Sequence, residues 1–177
     1  MDFLYQHRTT FIIESILLII LGMVAIALPF YATLSVELLL GWVLLLGGIV
    51  QLYKSITTIK EPGGVLSLVT ALIYIAVGAL MLIYPLTGIL TLTLLVGIFF
   101  LLEGIAKIAI SFELKPAQNW GWLLFSGIIA LIMAGIIIYG WPATSLWVIG
   151  LLVGINMVFF GFSLLAIVSS LPKKNVH

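Results

Sequence analysis

A pair of oppositely charged residues is the first feature of this sequence that could do chemistry. Glu103 is followed by Lys107 inside a long apolar stretch, and residues four apart share one face of a helix. Acid before base is the order that favours an ion pair, with Lys107 extending toward lipid headgroups and holding Glu103. The alternative is a carboxylate that accepts protons or contacts a substrate, because ionisable groups in membrane-spanning helices are commonly functional.

Two further carboxylates and one amide also lie in apolar surroundings. Glu14 and Glu37 fall near the starts of apolar stretches, where a carboxylate complements the helix dipole. We therefore favour a capping or interfacial role for both, and the alternative for Glu37 is a sensor of external pH. Asn156 follows the closely spaced Gly150 and Gly154, and an interhelical hydrogen bond is its expected use.

Other kinds of chemistry lack the residues they need. The chain has no cysteine, and its two histidines, His7 and His177, lie at the extremities, so we expect no metal site and no cysteine nucleophile. Phosphate-binding glycine loops and hydrolase motifs are missing from the sequence. A net charge of +1 does not favour nucleic-acid binding. We expect no catalytic residue, no cofactor and no enzymatic activity.

The composition requires a lipid bilayer as the main partner. Only 7 % of the 177 residues are charged and 64 % are hydrophobic, whereas a soluble domain carries about 25 % charged residues. Six stretches are long enough to cross a membrane, at about 10–29, 33–54, 64–85, 88–111, 120–140 and 143–169. They lack the alternation of a barrel strand, so we predict an all-α membrane protein with six transmembrane helices and one domain, 1–177.

A threefold internal repeat organises these stretches. Pro29 and Pro85 end odd-numbered stretches, Pro142 follows one closely, and each of the three marks a tight turn. Glycines recur seven residues before each proline, twelve after it and nineteen after it: Gly22, Gly41 and Gly48, then Gly78, Gly97 and Gly104, then Gly135, Gly154 and Gly161. Such a repeat indicates one structural unit used three times. We predict three tandem helical hairpins, roughly 10–56, 64–112 and 120–169.

The nine repeated glycines are predicted to pack helices together, because small residues let helix backbones approach in lipid. The alternative is that some of them contact another copy of the chain or a membrane partner protein.

The distribution of cationic residues predicts the orientation. All seven fall outside the proline turns: Arg8, Lys54, Lys60, Lys107, Lys115, Lys173 and Lys174. Because Lys and Arg accumulate on the cytoplasmic side, we predict that both termini are cytoplasmic. Ala25-Ile26-Ala27 resembles a signal-peptide cleavage site, but the first stretch is longer than a typical signal core and belongs to the repeat, so we expect it to be retained.

The pattern Gly-x6-Pro-x11-Gly-x6-Gly in a chain of six apolar stretches resembles the HdeD family of bacterial acid-resistance membrane proteins. The resemblance covers essentially the whole chain and is clearest in GALMLIYPLTGILTLTLLVGIFFLLEGIAKI (78–108) and GWLLFSGIIALIMAGIIIYGWP (121–142). It implies a bacterial or archaeal cytoplasmic membrane and a role in acid stress, and it supplies no catalytic or binding motif to transfer.

Three functions therefore stay open. The first is a non-enzymatic protein of acid-stress tolerance. The second is a channel or transporter for protons or small solutes, with a polar path lined by Thr91, Thr93, Glu103 and Asn156. The third is a membrane assembly or interaction subunit.

Overall fold

The computed structural model describes residues 8–59, 62–115 and 120–170. The side chains of Arg8 and Ser170 and the residues Lys60, Lys173, Lys174, His7 and His177 lie outside this description. The predictions made for them are therefore not examined by the structure.

The described chain forms six α-helices. They are α1 (Arg8–Ala27), α2 (Pro29–Thr57), α3 (Gly64–Ile83), α4 (Pro85–Glu113), α5 (Trp120–Tyr139) and α6 (Val148–Ser170), with a 3-10 turn at Ala143–Leu146. All six helices are long and apolar enough to span a membrane, and the described residues contain no strand. The prediction of an all-α membrane protein with six transmembrane helices in three tandem hairpins is confirmed.

Two of the three prolines begin a helix rather than sit in a separate turn. Pro29 and Pro85 are the first residues of α2 and α4, a position that suits proline because its φ angle is helical and its missing N–H has no partner there. Tyr84, just before Pro85, leaves the helical region with φ −125° and ψ 65°, as steric crowding by a following proline favours. These two helices therefore begin four and three residues before the approximate starts predicted at 33 and 88.

This early start makes the second helix of the first two repeats longer than the first. The helices α2 and α4 have 29 residues each, about 43 Å at 1.5 Å per residue. The helices α1, α3 and α5 have 20, about the 30 Å of a bilayer core.

The third turn differs from the other two. The Trp141–Pro142 peptide bond is cis, and the 3-10 turn at Ala143–Leu146 delays the start of α6 to Val148. The indole Nε1 of Trp141 donates a hydrogen bond to the carbonyl oxygen of Leu90, at 3.3 Å.

The described residues form two compact units, and the first joins the two ends of the chain, 8–33 and 147–170. In this unit α1 packs against α6 through facing glycines. A methyl group built on Gly22 would lie 2.8 Å from the carbonyl oxygen of Gly154, and one built on Gly154 would lie 2.9 Å from that of Gly22. One on Gly161 would lie 2.9 Å from the carbonyl oxygen of Ser15. The backbones are thus in direct contact, as glycine seams allow.

The second unit, 34–146, contains two further glycine-packed pairs. The helices α2 and α3 meet where a methyl group on Gly78 would lie 2.8 Å from the carbonyl oxygen of Gly41. The helices α4 and α5 meet where one on Gly104 would lie 2.9 Å from that of Gly127. In each unit, therefore, the second helix of one repeat packs closely against the first helix of another, whereas the short proline turns join helices within a repeat.

One of the nine predicted packing glycines is wrongly assigned. Gly135 is exposed and a methyl group there would meet nothing within 4 Å, whereas its neighbour Ala134 is 0 % exposed. In the third repeat two residues separate the end of the first helix from the proline, whereas one residue separates them in the other two repeats. Each residue rotates a helix position by about 100°, so counting seven residues back from the third proline reaches a different face of the helix. The other eight, including Gly48 and Gly97, are buried.

Candidate functional site: a buried carboxyl

Glu37 is a buried acid within a transmembrane helix. It lies eight residues after Pro29, two turns inside α2, and its side chain is 0 % exposed. Neither carboxyl oxygen has a hydrogen-bond partner among the described residues. The capping or interfacial interpretation of Glu37 was wrong, because α2 begins at the proline and not four residues later.

A glycine of the next repeat provides the space for this carboxyl. Gly88 on α4 is buried, and a methyl group built on it would collide with Glu37 Oε1. The neighbouring Gly41, one turn beyond Glu37, packs against Met81 and Leu82 of α3. The carboxyl therefore lies against α4, and α3 packs against α2 one turn farther along.

The position of Glu37 recurs in the other repeats with different chemistry. Thr93 also lies eight residues after its proline, and it is 0 % exposed, with no partner for Oγ1 in the described part of the chain. Gly150 occupies this position in the third repeat, where its backbone N–H donates to Thr33 Oγ1 at 2.9 Å. One repeat thus carries an acid, one a hydroxyl and one a satisfied backbone group.

The predicted pair of Glu103 and Lys107 is present. Lys107 Nζ lies 2.6 Å from Glu103 Oε1, with the two side chains about 30 % exposed (31 % and 28 %). Lys107 also donates to Ser126 Oγ on α5 at 3.0 Å. The lysine therefore joins α4 to α5 as well as neutralising its neighbour, which favours the structural interpretation of this pair.

The equivalent position of the first repeat forms a similar contact. Gln51, like Lys107, lies 22 residues after its proline, and its Nε2 donates to Ser67 Oγ on α3 at 2.8 Å. Ser55 Oγ and Ser67 Oγ are 2.7 Å apart. Both helix pairs of this unit are thus joined by polar side chains near the ends remote from the proline turns.

Glu14 and Asn156 do not join these clusters. Both are exposed, and no partner is found for the amide of Asn156 among the described residues. The interhelical hydrogen bond predicted for Asn156 is absent from this part of the chain. The reason is geometric, because a residue two positions after Gly154 points away from the face that Gly154 packs.

A cavity of about 390 Å³ lies between α3 and α4. Its lining is mainly apolar, with Val77, Leu80 and Met81 on one side and Gly88 and Leu95 among those on the other. Thr91 lines this cavity, but Thr93 and Glu103 do not. The cavity therefore does not join these three residues in one polar path.

Glu37, Glu103 and Lys107 were predicted from the sequence, but the residues that the helices bring into contact were not. These are Gly88 beside Glu37, Ser126 beside Lys107, and Ser67 beside Gln51. Ser145, a fully buried hydroxyl without a partner in the described chain, was also missed. Counting from each proline would have shown that Ser145 and Gly88 share a position three residues later.

Neither the carboxyl site nor the polar contacts suggest a metal centre, since the described residues contain no group of three or more His, Cys, Asp or Glu side chains placed to hold an ion. What the site offers is one carboxyl that can bind a proton, a cation or a hydrogen-bond donor.

Comparisons with known proteins agree with this architecture. The model for a short repeat of unknown function (DUF308) matches twice, at residues 13–83 and 69–139. Each match ends at the last residue of an odd-numbered helix, so it includes one of the glycine-packed pairs of the second unit. Among curated proteins, Protein HdeD of Escherichia coli K12 is 26 % identical, with 98 % of this chain and 93 % of the relative covered.

The HdeD proteins of Escherichia coli O157:H7 and Shigella flexneri match with the same identity and coverage. No solved structure matches the chain. The repeat matches extend over well more than half of the sequence, and the curated relatives align along nearly all of it. The chain therefore belongs to the family of the short repeat of unknown function (DUF308), within which it is assigned to the HdeD proteins.

Proposed function

We propose that this chain is a non-enzymatic protein of acid-stress tolerance in a bacterial inner membrane, and that Glu37 is its acid-responsive group. The proposal rests on the family assignment and on one structural observation. A carboxyl lies fully buried, without a partner for either oxygen in the described chain, two turns from the proline turn.

The chemistry of a buried carboxyl supports this role. A charged carboxylate removed from water and left without a partner costs several kcal/mol or more. Binding of a proton removes the charge and most of that cost, so a change in protonation changes how α2 packs against α4. A packing contact that depends on protonation of the Glu37 carboxyl would couple the structure of the protein to external pH.

Among the described residues of α3, α4 and α5, no charged side chain lies near Glu37 along the helices. The helices α3 and α5 carry no charged residue. On α4 the nearest are Glu103 and Lys107, 15 or more residues beyond Gly88 and therefore about 22 Å farther along the helix. The titratable side chains nearest to the site along the helices are two phenols, that of Tyr31, six residues before Glu37 on α2, and that of Tyr84, four residues before Gly88.

The orientation supports access from outside. Lys54, Lys107 and Lys115 lie toward the helix ends remote from the proline turns, and cationic residues favour the cytoplasm. We infer that both termini are cytoplasmic and that Glu37 occupies the outer half of the membrane.

The test is survival of acid-challenged cells that lack the gene. Wild-type protein should restore survival, Glu37→Gln should not, and Glu14→Gln, which alters an exposed acid, should restore it. All three must reach equal levels in the membrane. If deletion leaves acid survival unchanged, the proposed function is rejected; if Glu37→Gln restores survival fully, Glu37 is not the responsive group.

A second function, a membrane assembly or interaction subunit, is favoured by the apolar cavity between α3 and α4, which would suit an apolar partner. Channel or transporter activity has less support, because the cavity that contains Thr91 contains neither Thr93 nor Glu103.

A further inference from the structure

We propose that the cavity between α3 and α4 binds one acyl chain of a membrane lipid from the leaflet on the side of the proline turns. This inference does not depend on the role in acid tolerance. It rests on how the cavity is built, on its lining and on its length.

The fold produces the cavity. The helix α3 packs against α2 through Gly78, and α4 packs against α5 through Gly97 and Gly104. Because α3 and α4 pack against different neighbours, they do not pack closely against each other beside the turn at Tyr84 and Pro85. A space thus remains inside the hairpin, and it is a property of the packing rather than of one small side chain.

The lining selects hydrocarbon over water. Leu80 and Leu95 at its sides are 57 % and 61 % exposed, so the cavity opens on a surface of the membrane-spanning region. The hydroxyl of Thr91, which could have bound water, already donates within α4 to the carbonyl oxygens of Thr87 and Gly88. Cavities lined by apolar groups stay dry, and hydrocarbon is the apolar species that surrounds a transmembrane helix.

The length of the cavity matches one leaflet. It extends along α4 from Tyr84 to Leu95, eleven residues or about 16 Å. Half of a bilayer core is about 15 Å. The phenol of Tyr84, 60 % exposed at one end, is placed as interfacial tyrosines are, near the lipid headgroups. A chain lying in the cavity would therefore end near the middle of the bilayer.

One residue connects this cavity to the buried acid. Gly88 lines the cavity and also contacts the carboxyl of Glu37. A bound acyl chain would therefore press on the helix segment that holds the carboxyl in place.

The experiment is photo-cross-linking of the full-length protein in vesicles of phosphatidylethanolamine and phosphatidylglycerol containing a phosphatidylcholine with a mid-chain diazirine. Mass spectrometry then compares lipid adducts near Leu80 and Leu95 with those near Leu102, which is equally exposed at 61 % but lies outside the cavity. We expect several-fold more adduct at the cavity.

Two variants make the result specific. Leu80→Trp fills the cavity and should reduce its adducts several-fold, whereas Leu72→Trp, at a 52 % exposed site on the same helix outside the cavity, should not. If circular dichroism shows that Leu80→Trp is misfolded, Thr87→Trp replaces it. Equal labelling at Leu102, unchanged labelling in the filled variant, or protein–protein cross-links in place of lipid adducts would overturn the proposal.

Discussion

Gly88 lies against the carboxyl of Glu37, although the two residues belong to different repeats and different helices. The contact explains how an acid fits between closely packed transmembrane helices, because only a residue without a Cβ leaves room for Oε1. We therefore expect the protonation state of the carboxyl and the packing of α4 on α2 to depend on each other.

Replacing Gly88 by alanine should therefore destabilise the protein. Overpacking of a buried site costs about 1–3 kcal/mol, and the added methyl group would overlap a carboxyl oxygen. Thermal unfolding in detergent measures the effect. The matched control is Gly47→Ala on α2, where a methyl group meets nothing within 4 Å and alanine's better helix propensity should hold or raise the melting temperature. Equal effects of the two substitutions would contradict the contact.

The register of the third repeat can be tested by two glycines. Gly104→Ala places a methyl group 2.9 Å from the carbonyl oxygen of Gly127 and should lower the melting temperature clearly. Gly135→Ala, on an exposed face, should leave it unchanged or higher. The reverse order would show that Gly135 packs a helix, as the repeat pattern alone suggests.

The contact of Lys107 with Ser126 predicts a measurable coupling between α4 and α5. A double-mutant cycle with Lys107→Met and Ser126→Ala should give a coupling free energy of about 0.6–1.7 kcal/mol, the range found for hydrogen bonds between transmembrane helices. Lys107→Met should also be less harmful when combined with Glu103→Gln, since the second change removes the unpaired acid. A coupling of zero would mean that the hydrogen bond does not hold the helices together.

Asn156 is predicted to be dispensable for the stability of the fold. Its side chain is exposed and without a partner in the described chain, so Asn156→Leu should not lower the melting temperature of the detergent-solubilised protein. A fall in melting temperature as large as that of Gly104→Ala would instead support the interhelical hydrogen bond that the sequence suggests. Chemical cross-linking of the same variant checks whether the amide instead contacts a second copy.

The helices were predictable because a bilayer requires apolar stretches of a minimum length, and such stretches can be recognised in the sequence. The glycine seams were predictable for a different reason, because the seven-residue spacing of Gly41 and Gly48 places both on one helix face. Lys107 with Glu103 was also predictable, because a contact within one helix depends only on spacing.

Contacts between repeats were not predictable in the same way. Gly88 and Ser126 have no special spacing relative to Glu37 and Lys107, and only packing brings them together. Glu37 was placed too near the helix end because the sequence does not show that Pro29 begins α2. Gly135 was misassigned because one added residue in a turn rotates a helix face, and a repeat aligned on its prolines conceals that rotation.

The most direct test of the central claim is infrared spectroscopy of the protein in lipid as the external pH is lowered. We expect a protonated-carboxyl band to grow in the wild-type protein and in Glu14→Gln, and the corresponding component to be missing in Glu37→Gln. If Glu37→Gln gives the same pH-dependent band as the wild type, Glu37 does not bind the proton and the proposed acid-responsive site is contradicted.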